Sequence, residues 1–126
     1  MNPILVVAAG GALGSVARYL VGVWSMRLFG IGFPWGTLAV NLVGAFVIGL
    51  VVELSALKLQ LAPETRLFIV TGILGGFTTF SAYALEVSTL MQRGNHALAA
   101  LYAFGSIIAG VGAIFLAIFI VRRIYG

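Results

Sequence analysis

The polar side chains inside the apolar segments of this sequence are almost all hydrogen-bond donors. They are Arg18, Thr37, Asn41, Thr78, Thr79, Ser81, Tyr83, Tyr102 and Ser106. No nucleophile–base pair, carboxylate dyad or histidine–carboxylate metal cluster accompanies them, and Glu53 and Glu86 lie toward segment ends. Because donors stabilise negative charge, this inventory favours the passage of an anion over that of a cation, and it argues against an enzyme.

The stretch Gly72–Tyr83 carries the clearest structural information. It lies within the apolar segment 66–91, and two adjacent glycines near its middle are followed by two adjacent threonines. Glycine costs a helix about 1 kcal/mol and threonine is a weak helix former, whereas hydroxyls can cap a new helix. We interpret the stretch as a broken transmembrane helix, with one half ending near Leu74 and the other beginning near Phe80. The alternative is a glycine kink that only packs closely against a neighbouring helix.

The composition of the chain indicates that its apolar segments lie in a membrane. Of the 126 residues, 62% are hydrophobic and 8% are charged, and the mean hydropathy is +1.18. A soluble domain could not cover such a surface, so we predict one multi-pass domain of the all-α class, embedded in the lipid bilayer. The predicted spans cover residues 4–28, 36–57, 66–91 and 96–121. The net charge of +4 is scattered over the chain and does not indicate nucleic-acid binding.

Two polar residues within the first two spans need partners. Arg18 lies roughly 21 Å along the first helix, past the middle of a core about 30 Å thick. A guanidinium there costs about 2.5–3.5 kcal/mol unless it snorkels to the headgroups or faces water, which leaves snorkelling or an anion-accepting vestibule. Asn41 shares a face with Thr37, and Gly44 continues that face. Its amide either joins two helices or lines a conduction path.

The charge distribution predicts a weak preference for one orientation in the membrane. One side carries Lys58, Arg66, Arg122 and Arg123, and the other carries Arg27 and Arg93. This bias favours termini on the inside only slightly, so copies of the chain could insert both ways. Four helices are also too few to surround a pore generously, which implies an oligomer.

Three segments together resemble the Fluc (CrcB) family of fluoride channels. They are Gly10–Tyr19 in the first span, Gly36–Gly44 in the second, and Gly75–Ser81 with Glu86 in the third. The resemblance covers nearly the whole chain and implies a fluoride-selective channel of the cell (inner) membrane that exports fluoride passively from the cytosol. It also implies an antiparallel, dual-topology homodimer with two narrow pores along the subunit interface.

The same resemblance implies roles for individual residues. Thr37, Asn41, Phe80, Tyr83, Tyr102 and Ser106 line the fluoride pore, and Arg18 and Glu86 belong to its vestibule or end. The Asn41 amide donates into the pore, and Phe80 offers the positive edge of its ring. The carbonyls of Gly75 and Thr78 hold a structural sodium ion at the dimer interface. Carbonyls freed by a broken helix suit such a hard cation.

The sequence departs from the family pattern on one side of the pore. Tyr83 replaces a phenylalanine, and Ala82, Ala84, Gly110 and Ile114 replace residues that often carry hydroxyls. The Tyr83 hydroxyl could bond a neighbouring polar group or donate to fluoride, and the thinner polar track favours direct donation. These departures also leave open a structural subunit that completes the pore of a heterodimeric channel.

Overall fold

The computed structural model describes all 126 residues and contains four helices long and apolar enough to cross a membrane. They are Pro3–Phe29, Trp35–Leu57, Pro63–Gln92 and His96–Tyr125. The chain has no strands, so the predicted all-α, four-span architecture of a multi-pass membrane protein is confirmed. The fourth helix continues to Tyr125 rather than to residue 121, because arginine is a good helix former and the helix need not end with the apolar segment.

Local residue choices explain where the first helix begins and ends. The Asn2 side chain accepts a hydrogen bond from the Ile4 N–H at 2.8 Å, and Pro3 occupies the first helical position. The helix stops at Gly30, whose φ of 75° is readily adopted only by glycine. The short turn that follows leads directly into the second helix, so the first two spans lie side by side.

The third helix is interrupted, as the sequence predicts, at Thr78 and Thr79. Both residues have extended backbone angles, and the second half of the helix is Phe80–Gln92. The first half continues through Phe77, so the predicted end near Leu74 is wrong. Most of this half is π-helical over Leu67–Leu74, and the two glycines that follow keep helical geometry.

Close contact with the first helix explains why position 76 is a glycine. A Cβ built on Gly76 would lie 2.6 Å from the Gly11 carbonyl oxygen, and one on Gly14 would overlap the Ile73 carbonyl oxygen. The backbones of the two helices therefore touch directly, as small residues permit in lipid. Gly76 thus packs closely against a neighbouring helix, as the alternative required, but the glycines form no kink and the helix is broken at the threonines.

The second and fourth helices form the other main contact of the chain. Val40, Tyr102 and Ala117 are buried between elements, and the Arg122 Nε donates to the Glu53 carboxylate at 2.8 Å near the helix ends. Most other large apolar side chains are exposed, among them Phe80, Phe104 and Ile108. This arrangement places the break in the third helix beside an apolar surface that only lipid or another protein could cover.

Candidate functional site

The break in the third helix is held by Asn41 of the second helix. The Asn41 side-chain amide donates to the Thr79 carbonyl at 3.0 Å, and its oxygen accepts from the Thr79 N–H at 2.8 Å. These two bonds replace those that the interrupted helix cannot make. Asn41 therefore joins the second and third helices, which is one of its two predicted roles. One further N–H of its amide remains for another partner.

Arg18 contacts the same break from the first helix. Its Nε donates to the Gly76 carbonyl at 3.1 Å, near the C-terminal end of the first half-helix. A cation is favourable there because the helix dipole is negative at that end. Arg18 also lines a cavity of about 260 Å³ together with Thr37 and Thr79, so its position is explained by protein contact rather than by snorkelling alone.

Thr79 caps the second half-helix, as the sequence predicts, whereas the Thr78 hydroxyl bonds back to the first half-helix. The Thr79 hydroxyl accepts from the Ala82 N–H at 3.1 Å, and the Thr78 hydroxyl donates to the Leu74 carbonyl at 2.9 Å. In a continuous helix the Thr79 N–H would bond the Gly75 carbonyl, but here it donates to the asparagine instead. The Thr78 carbonyl accepts no hydrogen bond. The break thus leaves the carbonyl oxygens of Gly75 and Thr78 without hydrogen-bond donors.

Three predicted site residues meet in a separate cluster around a carboxylate. Glu86 accepts from the Thr37 hydroxyl at 3.0 Å and from the Tyr102 hydroxyl at 3.2 Å. Tyr102 is only 2% exposed, so this contact joins three helices within the protein interior. In this arrangement the hydroxyl protons of both donors are directed to Glu86.

Four other predicted residues line one groove at the break. The groove has a volume of about 410 Å³, and Asn41, Phe80, Tyr83 and Ser106 lie along it, together with Gly75 and Thr78. No carboxylate lines it. Ser106 Oγ is buried without any hydrogen-bond partner, which is unusual for a polar atom in a folded protein. A donor without a partner beside such a groove suits a bound ligand.

The Tyr83 hydroxyl does not donate into this groove. It donates to the Ala103 carbonyl of the fourth helix, while the ring packs 5.8 Å from that of Phe80 and 5.3 Å from that of Tyr102. A phenol has one proton, so direct donation to an anion, which the thinner polar track favours, is wrong for this conformation. The hydroxyl adopts the other predicted role and bonds a neighbouring group.

One residue that shapes the groove was not predicted as a site residue. A Cβ on Gly44 would overlap the methyl group of Thr78, so only glycine allows the second helix to approach the break so closely. The small-residue face that runs from Asn41 to Gly44 in the sequence indicates such an approach, although not which element comes near.

Comparison with known proteins identifies relatives of nearly full length. Residues 5–118 match the family described as CrcB-like protein, Camphor Resistance (CrcB). A protein of Agrobacterium fabrum named fluoride-specific ion channel FluC is 55% identical over 99% of this chain and 100% of its own length. Proteins with the same name from Rhizobium etli and Chlorobium chlorochromatii are 49% and 50% identical, each over 98% of this chain and over 99% and 95% of their own lengths.

Proposed function

The chain belongs to the CrcB family, which comprises ion channels rather than enzymes, and from this premise we propose that it is a fluoride-selective channel. The family resemblance predicted from the sequence is thereby confirmed. One observation within the chain carries the proposal. The groove at the break is lined by Asn41, whose amide keeps one N–H beyond its bonds to Thr79, and by Ser106, whose buried hydroxyl has no partner, with no carboxylate along its walls.

The chemistry of fluoride matches such a groove. Fluoride is small and strongly hydrated, so short N–H and O–H donors must replace its water shell, in a pore too tight for chloride. The Phe80 ring edge adds a weakly positive surface without a competing acceptor. Passive transport is sufficient for export. Fluoride enters the cell as the neutral acid and dissociates in the cytosol, and the membrane potential then drives the anion out across the inner membrane.

A second copy of the chain is part of this proposal. Phe80 lies along the groove and is 78% exposed, which supports a partner surface that closes the conduction path. The weak charge bias of the loops supports insertion in both orientations. An antiparallel homodimer would place two such grooves at its interface.

A structural sodium ion also fits the break. The backbone oxygens of Gly75 and Thr78 lose their helical donors there, and oxygen ligands are what a hard cation requires. Histidine, cysteine, aspartate and glutamate side chains form no cluster that could hold a metal. Two oxygens from each of two subunits would give four ligands. The ion would hold the break open and offset part of the negative charge of these carbonyls.

Fluoride release from liposomes that contain only this chain tests the proposal. We expect release without proton or sodium coupling, no comparable chloride flux, and a label at Gly126 accessible from both membrane faces in similar amounts.

Long exposure to a large organic cation in place of sodium is expected to reduce the release of fluoride, because the sodium ion would be lost from the break. Stoichiometric proton exchange, or equal chloride flux, would contradict the channel. A chain that releases no fluoride alone, but does so together with a second homologous subunit, would support the heterodimeric alternative.

Tyr83→Phe is expected to leave fluoride release within about twofold of the parent. The variant loses only the bond to the Ala103 carbonyl, and an ordinary hydrogen bond contributes about 0.5–1.5 kcal/mol to stability. The ring, which lies along the groove, is retained. Release rates of both proteins in the same liposomes measure the effect. A change of tenfold or more would show that the hydroxyl reaches the ion during conduction.

A further inference from the structure

A second cavity lies beside the cluster around Glu86, at the ends of the helices. It has a volume of about 280 Å³, and part of its wall is the turn that follows the first helix. Its polar lining consists of Ser25, Thr37, Glu86, Thr89 and Arg93. The cavity therefore connects a carboxylate that already binds two hydroxyls with an arginine at the end of the third helix.

The arginine is free to interact with an ion in this cavity. Arg93 is exposed at the C-terminal end of the helix, and neither of the two ion pairs of the chain involves it. Glu86, Thr89 and Arg93 follow one another at helical spacing, so they share one face. Seven residues of helix place the arginine about 10 Å beyond the carboxylate.

The charges of Glu86 and Arg93 act on an anion in opposite ways. An anion that enters this cavity meets the carboxylate of Glu86, whose charge opposes its approach. A fixed cation at the mouth of a low-dielectric cavity attracts anions and raises their local concentration. Arg93 is the cation that lines this cavity.

We propose that this cavity is an anion-loading site and that Arg93 is its mouth residue. Its ligand is a small hydrated monovalent anion, and the inference rests on the proposed fluoride channel. Ser25 supplies a hydroxyl to the cavity lining, where the anion sheds part of its water, whereas the Thr37 proton is used by Glu86.

The test compares Arg93→Gln with Arg27→Gln in fluoride-release assays at low fluoride concentration. Arg27 is likewise an exposed arginine at the C-terminal end of its helix, and by the predicted topology it lies on the same membrane side, but it does not line the cavity beside Glu86. At about 10 mM impermeant salt, where screening extends over about 30 Å, we expect Arg93→Gln to slow release about fivefold. Arg27→Gln is expected to match the parent, and Arg93→Lys to retain most of the rate.

The salt dependence of the release rate distinguishes an electrostatic role of Arg93 from a structural one. At about 1 M impermeant salt the screening length is about 3 Å, so the difference between Arg93→Gln and the parent should nearly vanish. A defect of equal size at both salt concentrations, or equal rates for the two glutamine variants at low salt, would overturn the loading site while leaving the channel intact. A parent chain that releases no fluoride would refute both proposals.

Discussion

Asn41→Leu is expected to reduce fluoride release about tenfold to a hundredfold. The leucine has similar size but provides neither the N–H that remains for the groove nor the two bonds to Thr79. A hydrogen bond to a charged group is worth about 1.5–3 kcal/mol, and each 1.4 kcal/mol changes a rate about tenfold. The Thr79 N–H and carbonyl would also be left unpaired inside the membrane, at about 1–3 kcal/mol each.

A matched change on the same helix and a stability measurement separate the two roles of Asn41. Val43→Ala alters a side chain that is 52% exposed, and it is expected to release fluoride at the parental rate. The melting temperature of each purified variant reports the loss of the bonds to Thr79. A destabilised Asn41→Leu protein with normal fluoride release would show that the amide only holds the break and never meets the ion.

Gly14→Ala is expected to lower the melting temperature of the purified protein by about 10 °C. The added methyl group would overlap the Ile73 carbonyl oxygen and lie 2.8 Å from the Phe77 nitrogen, so the first and third helices must separate. Overpacking of this kind costs about 1–3 kcal/mol or more. In lipid, close packing is a main source of helix association, so other contacts compensate little.

Gly11→Ala is the control for this prediction. It adds the same methyl group to the same helix, but no atom lies within 4 Å of the new Cβ. Both variants gain the same helix propensity, about 1 kcal/mol relative to glycine. We therefore expect Gly11→Ala to melt within about 2 °C of the parent, or above it. Equal melting temperatures for the two variants would show that the helices are not packed backbone to backbone at Gly14.

The sequence by itself determined the elements of the fold. Spans of sufficient apolar length can only be membrane helices, and the threonines after paired glycines predict a break because weak helix propensity and capping hydroxyls act locally. For the same reason the Thr79 cap of the second half-helix was predictable. The exact end of the first half was not, because the helix continues through Gly76, which packs against Gly11 of a helix distant in the sequence.

Only the tertiary structure decided which hydrogen-bond partner each polar side chain has. The partners of Asn41, Arg18 and Tyr83 lie 38, 58 and 20 residues away along the chain, so local propensity carries no information about them. Sequence reasoning identified donors of the right kind, but each hydroxyl has a single proton, and packing between helices selects its acceptor. This is why the Tyr83 proton bonds a backbone carbonyl, whereas the Ser106 hydroxyl is left without a partner beside the groove.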